Sequence, residues 1–291
     1  MKLRLLVVLL ALLMCFNSTI ENKIYADAGG TVEETGSEVS YISTYSLSLV
    51  DNNSIEVAGN PQRPAIAPNG EFILIPAKDF NLLYYVKVIN NKPVLQELTI
   101  PTGKGPTDVA ISKYANKAYV ANKFGNSITI IDLDEVDPTI ITEIPVGLSP
   151  TSLALNPLNQ YLYVVNEEDN TVSVIKLDDK DSKIVNTIKV GMGPNSIKLS
   201  NDAKSAFVVN RGDNTVTEID LTNPEGSVTK ECIQVGTYPS DITVSNKYNI
   251  ALITNTLDNN IGLFDPMDSL SAPIGQIKDI SKPFGITKST K

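Results

Sequence analysis

Histidine and tryptophan are missing altogether from this 291-residue chain, and cysteine occurs only twice. The first absence rules out Ser–His triads, His-ligated haem or copper, and imidazole general bases. The second removes one common sugar-stacking side chain. The two cysteines are Cys15, in an amino-terminal apolar run, and Cys232. Once that run is cleaved off no internal disulfide can form, so stability has to come from packing. Basic residues are also in deficit, with 24 Lys and Arg against 33 Asp and Glu and a net charge of −9. Such a surface repels phosphate backbones and anionic lipid headgroups, which argues against a nucleic-acid partner. Helix-like apolar stripes are few, whereas 17 Gly, 17 Pro and frequent Asn describe a turn-rich, all-β chain.

The first residues have the layout of an export signal, with Lys2 and Arg4 as the basic start, Leu5 to Phe16 as the apolar run and Ala26-Asp27-Ala28 as the cleavage site. About twelve apolar residues are short for a membrane span. Met14, ahead of Cys15, is bulkier than the small residue a lipobox places there. The expected organisation is a signal peptide over residues 1–28, a flexible tail over 29–38 and a folded domain over 39–291. The expected location is extracytoplasmic, as a monomer that is secreted, periplasmic or on the cell surface, with no membrane insertion after cleavage. Cleavage takes Lys2, Arg4 and Lys23 from the 24 basic residues and Glu21 and Asp27 from the 33 acidic ones, leaving 21 and 31, a net of −10.

Self-similarity organises the remainder. Prolines recur at Pro61, Pro106, Pro150, Pro194, Pro239 and Pro283, separated by 45, 44, 44, 45 and 44 residues. Gly103, Gly147, Gly191 and Gly236 stand three residues ahead of their prolines, and the first copy has Ala58 there. Sixteen residues after the proline come Asn122, Asn166, Asn210 and Asn255, with Ala77 as the exception; twenty after it come Asn81, Asn126, Asn170, Asn214 and Asn259. Copies therefore begin near residues 58, 103, 147, 191 and 236, with a partial one at 280. Within each copy apolar residues alternate with period two, as in Ser152 to Leu155, Tyr161 to Asn166, Thr171 to Leu177 and Ile184 to Val190. These are strands A to D of a meander. The Asn-bounded step between strands B and C is a hairpin turn, because Asn and Asp tolerate positive φ. Four-stranded units with short joins and no covering helix hide their faces only against each other, and radial stacking into a β-propeller of antiparallel blades does this.

Tyr119-Val120-Ala121-Asn122 and Tyr163-Val164-Val165-Asn166, followed by Asn126-Ser127-Ile128 and Asn170-Thr171-Val172, resemble the YVTN family of β-propeller repeats over roughly residues 39 to 291. The resemblance implies an exported or surface-layer-associated protein, more distantly related to lactonase-type propellers and to the propeller domains of haem and quinone enzymes. Pro76, in the first copy, cannot donate to a ladder and predicts an interrupted or bulged strand B. For closure, Ser46 to Asp51 aligns with strand C, Ser54 to Val57 with a short strand D, Ser37 to Tyr41 with strand B and Lys282 to Thr287 with strand A. The expected ring has six blades, the last shared by the two termini.

Strand A is innermost, so residues just after each repeat proline surround the channel mouth, where propellers bind ligands. Two positions on, the series reads Arg63, Asp108, Ser152, Ser196, Asp241 and Gly285; one position on, it reads Gln62, Thr107, Thr151, Asn195, Ser240 and Phe284. Arg63, Asp108, Asn195 and Asp241 are the candidate ligand-binding residues. The plainer reading is that short polar side chains cap strand starts, and Arg63 fits it least. Arg211-Gly212-Asp213 at a hairpin tip reads as turn chemistry rather than an adhesion motif. Acidic runs at 132–137 and 178–181 lack calcium-loop spacing, so no metal or cofactor is expected. Export, fold and the lack of a catalytic cluster favour a non-catalytic secreted or cell-surface scaffold that binds a protein, a glycan or a small polar ligand. The alternative is a lactonase-like hydrolase using carboxylates and Arg63 at the channel mouth.

Overall fold

The computed structural model describes residues 24–26, 37–41 and 55–286, except 91, 135–136, 157–159, 179–180, 201, 246–249, 266–272 and 279. The signal-peptide core at 1–23, the strand expected at 46–51 and residue 287 lie outside them.

Five sheets of four antiparallel strands follow one another along the chain, so the fold is an all-β propeller of the expected blade type. The second blade shows the plan, with Pro106–Ile111, Lys117–Asn122, Ser127–Asp132 and Thr139–Pro145 in simple meander order. First strands of successive blades touch one another, which places them around the centre. Period two explains how one strand serves two interfaces. In Tyr161–Asn166, Leu162 and Val164 pack towards the second blade with Tyr119 and Ile128, while Tyr161, Tyr163 and Val165 pack towards the fourth with Ile197 and Val208. Tyr163 is the largest fully buried side chain among the described residues, and burial pushes its hydroxyl up to about 12.

The repeated residues form a bonding code. Asn122 donates through Nδ2 to the Ser127 and Thr129 hydroxyls at 3.1 and 2.8 Å, and Asn166 and Asn210 do the same five and seven residues on. A Cβ at Gly103, Gly147, Gly191 or Gly236 would stand 2.4 to 2.7 Å from the Asn amide of its own blade. The glycine is therefore needed because the asparagine is there. The first blade loses both together, as Ala58 and Ala77. The second Asn of each turn has φ between 52 and 59°. Its Oδ1 accepts from the residue ahead of the next repeat proline: Gly105, Ser149, Gly193, Tyr238 and Lys282, at 2.8 to 3.0 Å. Those five residues have φ from 42 to 67°, a left-handed geometry that non-glycine residues seldom adopt.

Two expectations need correction. The strand Phe72–Ala77 runs unbroken, with Pro76 in register with Leu83. The Pro76 carbonyl accepts from Gln62 on the inner side, where the partner strand shrinks to Ala65–Ile66, so the missing N–H is absorbed there. Nor, among the described residues, do the termini combine into a regular sixth blade. Ser37–Tyr41 pairs with Ile24–Ala26 and Ile55–Val57 in a separate three-stranded sheet, and Ile55 and Val57 pack on Ile73, Ile75 and Val86 of the first blade. Residues 281–286 form no strand. They dock on the fifth blade as the next first strand would, through Lys282 to Asn259, Ser240 to Phe284 and Ile286 to Asp241. With Pro283 lacking a donor, side chains rather than a ladder hold the segment.

Candidate functional site

Asn126 of the second blade's B–C turn and Asp169 of the third blade's accept from the backbone of the one bend between those blades, at Ser149 and Leu148, which puts bends and B–C turns on one face. The residues after the repeat prolines ring the centre of that face and link blade to blade. Thr107 donates to the Pro150 carbonyl at 3.0 Å, Asn195 Nδ2 to the Ser240 carbonyl at 2.6 Å and the Ser240 hydroxyl to the Phe284 carbonyl at 2.7 Å. One residue further in, the Asp108 carboxylate accepts from the Ser152 hydroxyl at 3.0 Å and the Leu153 N–H at 2.8 Å, both in the next blade. Asp241 accepts from Ser196 at 2.6 Å in the preceding blade and from Ile286 at 3.1 Å in the segment that follows. Both aspartates are buried, and each also bonds the N–H of the residue after it.

Among the described residues Arg63 alone reaches across. Its Nη1 donates to the Asn195 carbonyl at 2.9 Å, joining the first blade to the fourth, while its backbone bridges to Asp108. Among the described residues that is the guanidinium's one hydrogen bond, and the side chain is half-buried. Its remaining donors can take a planar anion. The Asn195 amide oxygen is buried without a donor among the described residues. Burial pushes the Asp108 carboxyl above the usual carboxylate range, and the positive charges of Arg63 and then Lys198 pull it part of the way back.

Arg63, Asp108 and Asn195 thus form one cluster, and Asp241 joins it through Ser196 and Ser240. Lys198 escaped the sequence reading. Four residues after each proline the chain carries Ala65, Ala110, Ala154, Lys198, Thr243 and Thr287, so one cation among small side chains was the available signal. Arg211-Gly212-Asp213 is folded into its blade: Asp213 accepts from Met192 N–H and the Thr215 hydroxyl, and Arg211 lies over the Tyr238 ring at 4.8 Å. Among the described residues no group of three or more carboxylate or thiol side chains gathers as a metal site would need.

A family model described as "Lactonase, 7-bladed beta-propeller" matches residues 79–195, from the B–C turn of the first blade to the inner strand of the fourth. No curated protein matches the chain. Among solved structures, a protein of Lactobacillus plantarum is 14% identical, with a TM-score of 0.78 over 87% of this chain and 82% of the other. A functionally unknown protein of Desulfotomaculum acetoxidans is 18% identical, with a TM-score of 0.72 over 85% of this chain and 80% of the other. The periplasmic gluconolactonase of Pseudomonas aeruginosa is 13% identical, with a TM-score of 0.72 over 90% of this chain and 82% of the other. At these identities the likeness is one of fold: five full blades in the described residues share their architecture with propellers of the lactonase type.

Proposed function

We propose that this chain is an exported lactonase-like hydrolase that takes a sugar-acid lactone at the channel mouth, with Arg63 as the anion-binding group. The observation that carries the reading is the half-buried Arg63 guanidinium, which makes one hydrogen bond among the described residues and whose charge is felt by the buried Asp108, in a propeller resembling those of the lactonase type. The free guanidinium donors would stabilise the charge that grows on the lactone carbonyl oxygen. Asp108, in its ionised form, would take a proton from the water that attacks the carbonyl carbon and return it to the ring oxygen as the acyl C–O bond breaks, giving the hydroxy acid. Asp241 and the Asn195 amide oxygen would accept from the substrate hydroxyls. The test is the hydrolysis of glucono-δ-lactone above its spontaneous rate by wild type and by Arg63→Ala.

A second reading rests on a specific observation: both aspartates are already occupied by bonds between blades. On that reading the same mouth holds a small anionic ligand without turnover, as in a secreted or cell-surface scaffold. Saturable gluconate binding in calorimetry together with no turnover of glucono-δ-lactone favours the scaffold.

Export is part of the proposal and rests on the basic, apolar and Ala26-Asp27-Ala28 sequence. Amino-terminal sequencing of protein recovered outside the cytoplasm is expected to read Gly29 first, and a chain that keeps Met1 would refute it. Cleavage there would also remove the strand Ile24–Ala26 from the three-stranded sheet.

A further inference from the structure

Seventeen residues after each repeat proline, at the start of the B–C turn, the chain reads Lys78, Lys123, Glu167, Arg211 and Thr256. These residues occupy one place in every blade, a strand out from the channel mouth. Lys123 and Glu167 pair with each other across neighbouring blades, and Thr256 bonds the Pro283 carbonyl. Lys78 and Arg211 make no ion pair among the described residues. Each stands over an aromatic ring farther along the chain instead. Lys78 Nζ is 4.8 Å from the centre of the Phe124 ring, and the Arg211 guanidinium is 4.8 Å from that of Tyr238 and 6.0 Å from that of Phe284. Arg211 Nε is buried without an acceptor among the described residues, and Nη1 reaches only the Tyr238 hydroxyl, at 3.5 Å.

Exposed aromatic side chains gather on the same face. Phe80, Phe124, Tyr238 and Phe284 are exposed there, and Tyr114, in an A–B turn on the opposite face, is the remaining exposed aromatic among the described residues. Phe80 and Phe124 lie so close to the bends that a Cβ at Gly59 or Gly105 would come 2.5 Å from their rings. Those rings are therefore held in place before any ligand arrives. Lys78 belongs to the first blade and Arg211 to the fourth, the two that Arg63 and Asn195 join across the mouth. In a chain of net charge −9, the mouth thus has an uncommitted cation beside exposed aromatic surface on each of two opposite sides.

We propose that this rim binds a linear oligomer of uronic acids laid across the mouth, its carboxylates on Lys78 and Arg211 and the C–H faces of its sugar rings against the exposed aromatic surface. Every uronate residue carries a carboxylate and a flat apolar face together, which matches a cation set beside an aromatic ring. An acidic peptide would satisfy the cations and leave the rings without a flat partner. The ligand class rests on the sugar-acid reading of the mouth, although binding at the rim requires no turnover.

Calorimetry on the full chain with pentagalacturonate, the neutral maltopentaose and pentaglutamate as probes tests this. Pentagalacturonate is expected to bind saturably, and more weakly as salt screens the rim cations, whereas maltopentaose is expected not to bind. Lys78→Ala and Arg211→Ala are each expected to weaken pentagalacturonate by about tenfold, the scale of a lost charged hydrogen bond, and Phe124→Ala to weaken it too. Lys204→Ala, which removes a cation from an A–B turn on the opposite face, leaves it unchanged. The probe contains no lactone ring, so a rim that fails to bind it is distinguishable from a mouth that fails to turn over glucono-δ-lactone. Absence of saturable pentagalacturonate binding would overturn the proposal, as would equal affinity in wild type and Arg211→Ala. Pentaglutamate bound as tightly as pentagalacturonate would also overturn it, by showing a surface for acidic protein segments.

Discussion

Removal of residues 282–291 is expected to lower the unfolding free energy by about 4 kcal/mol, since each hydrogen bond contributes about 0.5–1.5 kcal/mol net and several are lost together with apolar burial. Three partners go at once. Ser240 and Thr256 lose the Phe284 and Pro283 carbonyls, and buried Asp241 loses the Ile286 N–H. Asn259 loses Lys282, and the apolar contact of buried Pro283 is lost as well. In a domain of this size that corresponds to a fall in melting temperature of roughly 10 °C. Calorimetric scans of the two proteins measure it. An unchanged transition would mean that the segment does not complete the fifth blade's inner face.

The second large effect is a coupling. Gly103→Ala is expected to cost about 1–3 kcal/mol by overpacking, because the new methyl would meet the Asn122 amide nitrogen at 2.4 Å. Asn122→Ala is expected to cost a similar amount, about 1–3 kcal/mol, through its bonds to Ser127 and Thr129. Together they reproduce the Ala58 and Ala77 pair with which the first blade folds. The double variant should therefore be more stable than the sum of the single costs implies, by about 1 kcal/mol or more in a denaturant-unfolding cycle. Additive costs would show that the glycine answers to something other than the asparagine.

Much of this fold was legible because a propeller solves the same problem once per blade. The proline register located five inner strands, and the stacking argument implied sheets buried on both faces, as Tyr161–Asn166 is. Both repeated Asn series were read as turn formers; the second has the positive φ of a turn former, whereas Asn122, Asn166 and Asn210 end their strands and donate to strand C hydroxyls. The bonds of the second series to the next bend were not foreseen, because the partner is a backbone N–H with no residue signature. The same limit hid the role of Asp108 and Asp241. Their partners lie 44 and 45 residues away, one repeat period, so each bond joins equivalent places in neighbouring blades. Pro76 misled because its cost depends on which neighbour its nitrogen faces. The termini misled because side-chain bonds, rather than strand alternation, dock the last segment. Arg63 stood out in the sequence as a poor strand cap, but its reach to Asn195 depends on ring geometry that repeat spacing does not contain.

The most direct measurement is the initial rate of glucono-δ-lactone hydrolysis, corrected for the spontaneous reaction, for wild type, Arg63→Ala, Arg63→Lys and the opposite-face control Asp137→Ala. Wild type and Asp137→Ala are expected to turn the lactone over alike, and Arg63→Ala to lose about tenfold to a hundredfold, as when a charged hydrogen bond to the transition state is removed. Arg63→Lys keeps the charge without the planar fork and should fall between them. Since burial raises the Asp108 carboxyl and the base must be ionised, the rate should climb with pH through a limb lying above the ordinary carboxylate range. Hydrolysis by wild type no faster than the spontaneous rate, or equal rates for wild type and Arg63→Ala, would contradict the assignment of the channel mouth as a hydrolytic site.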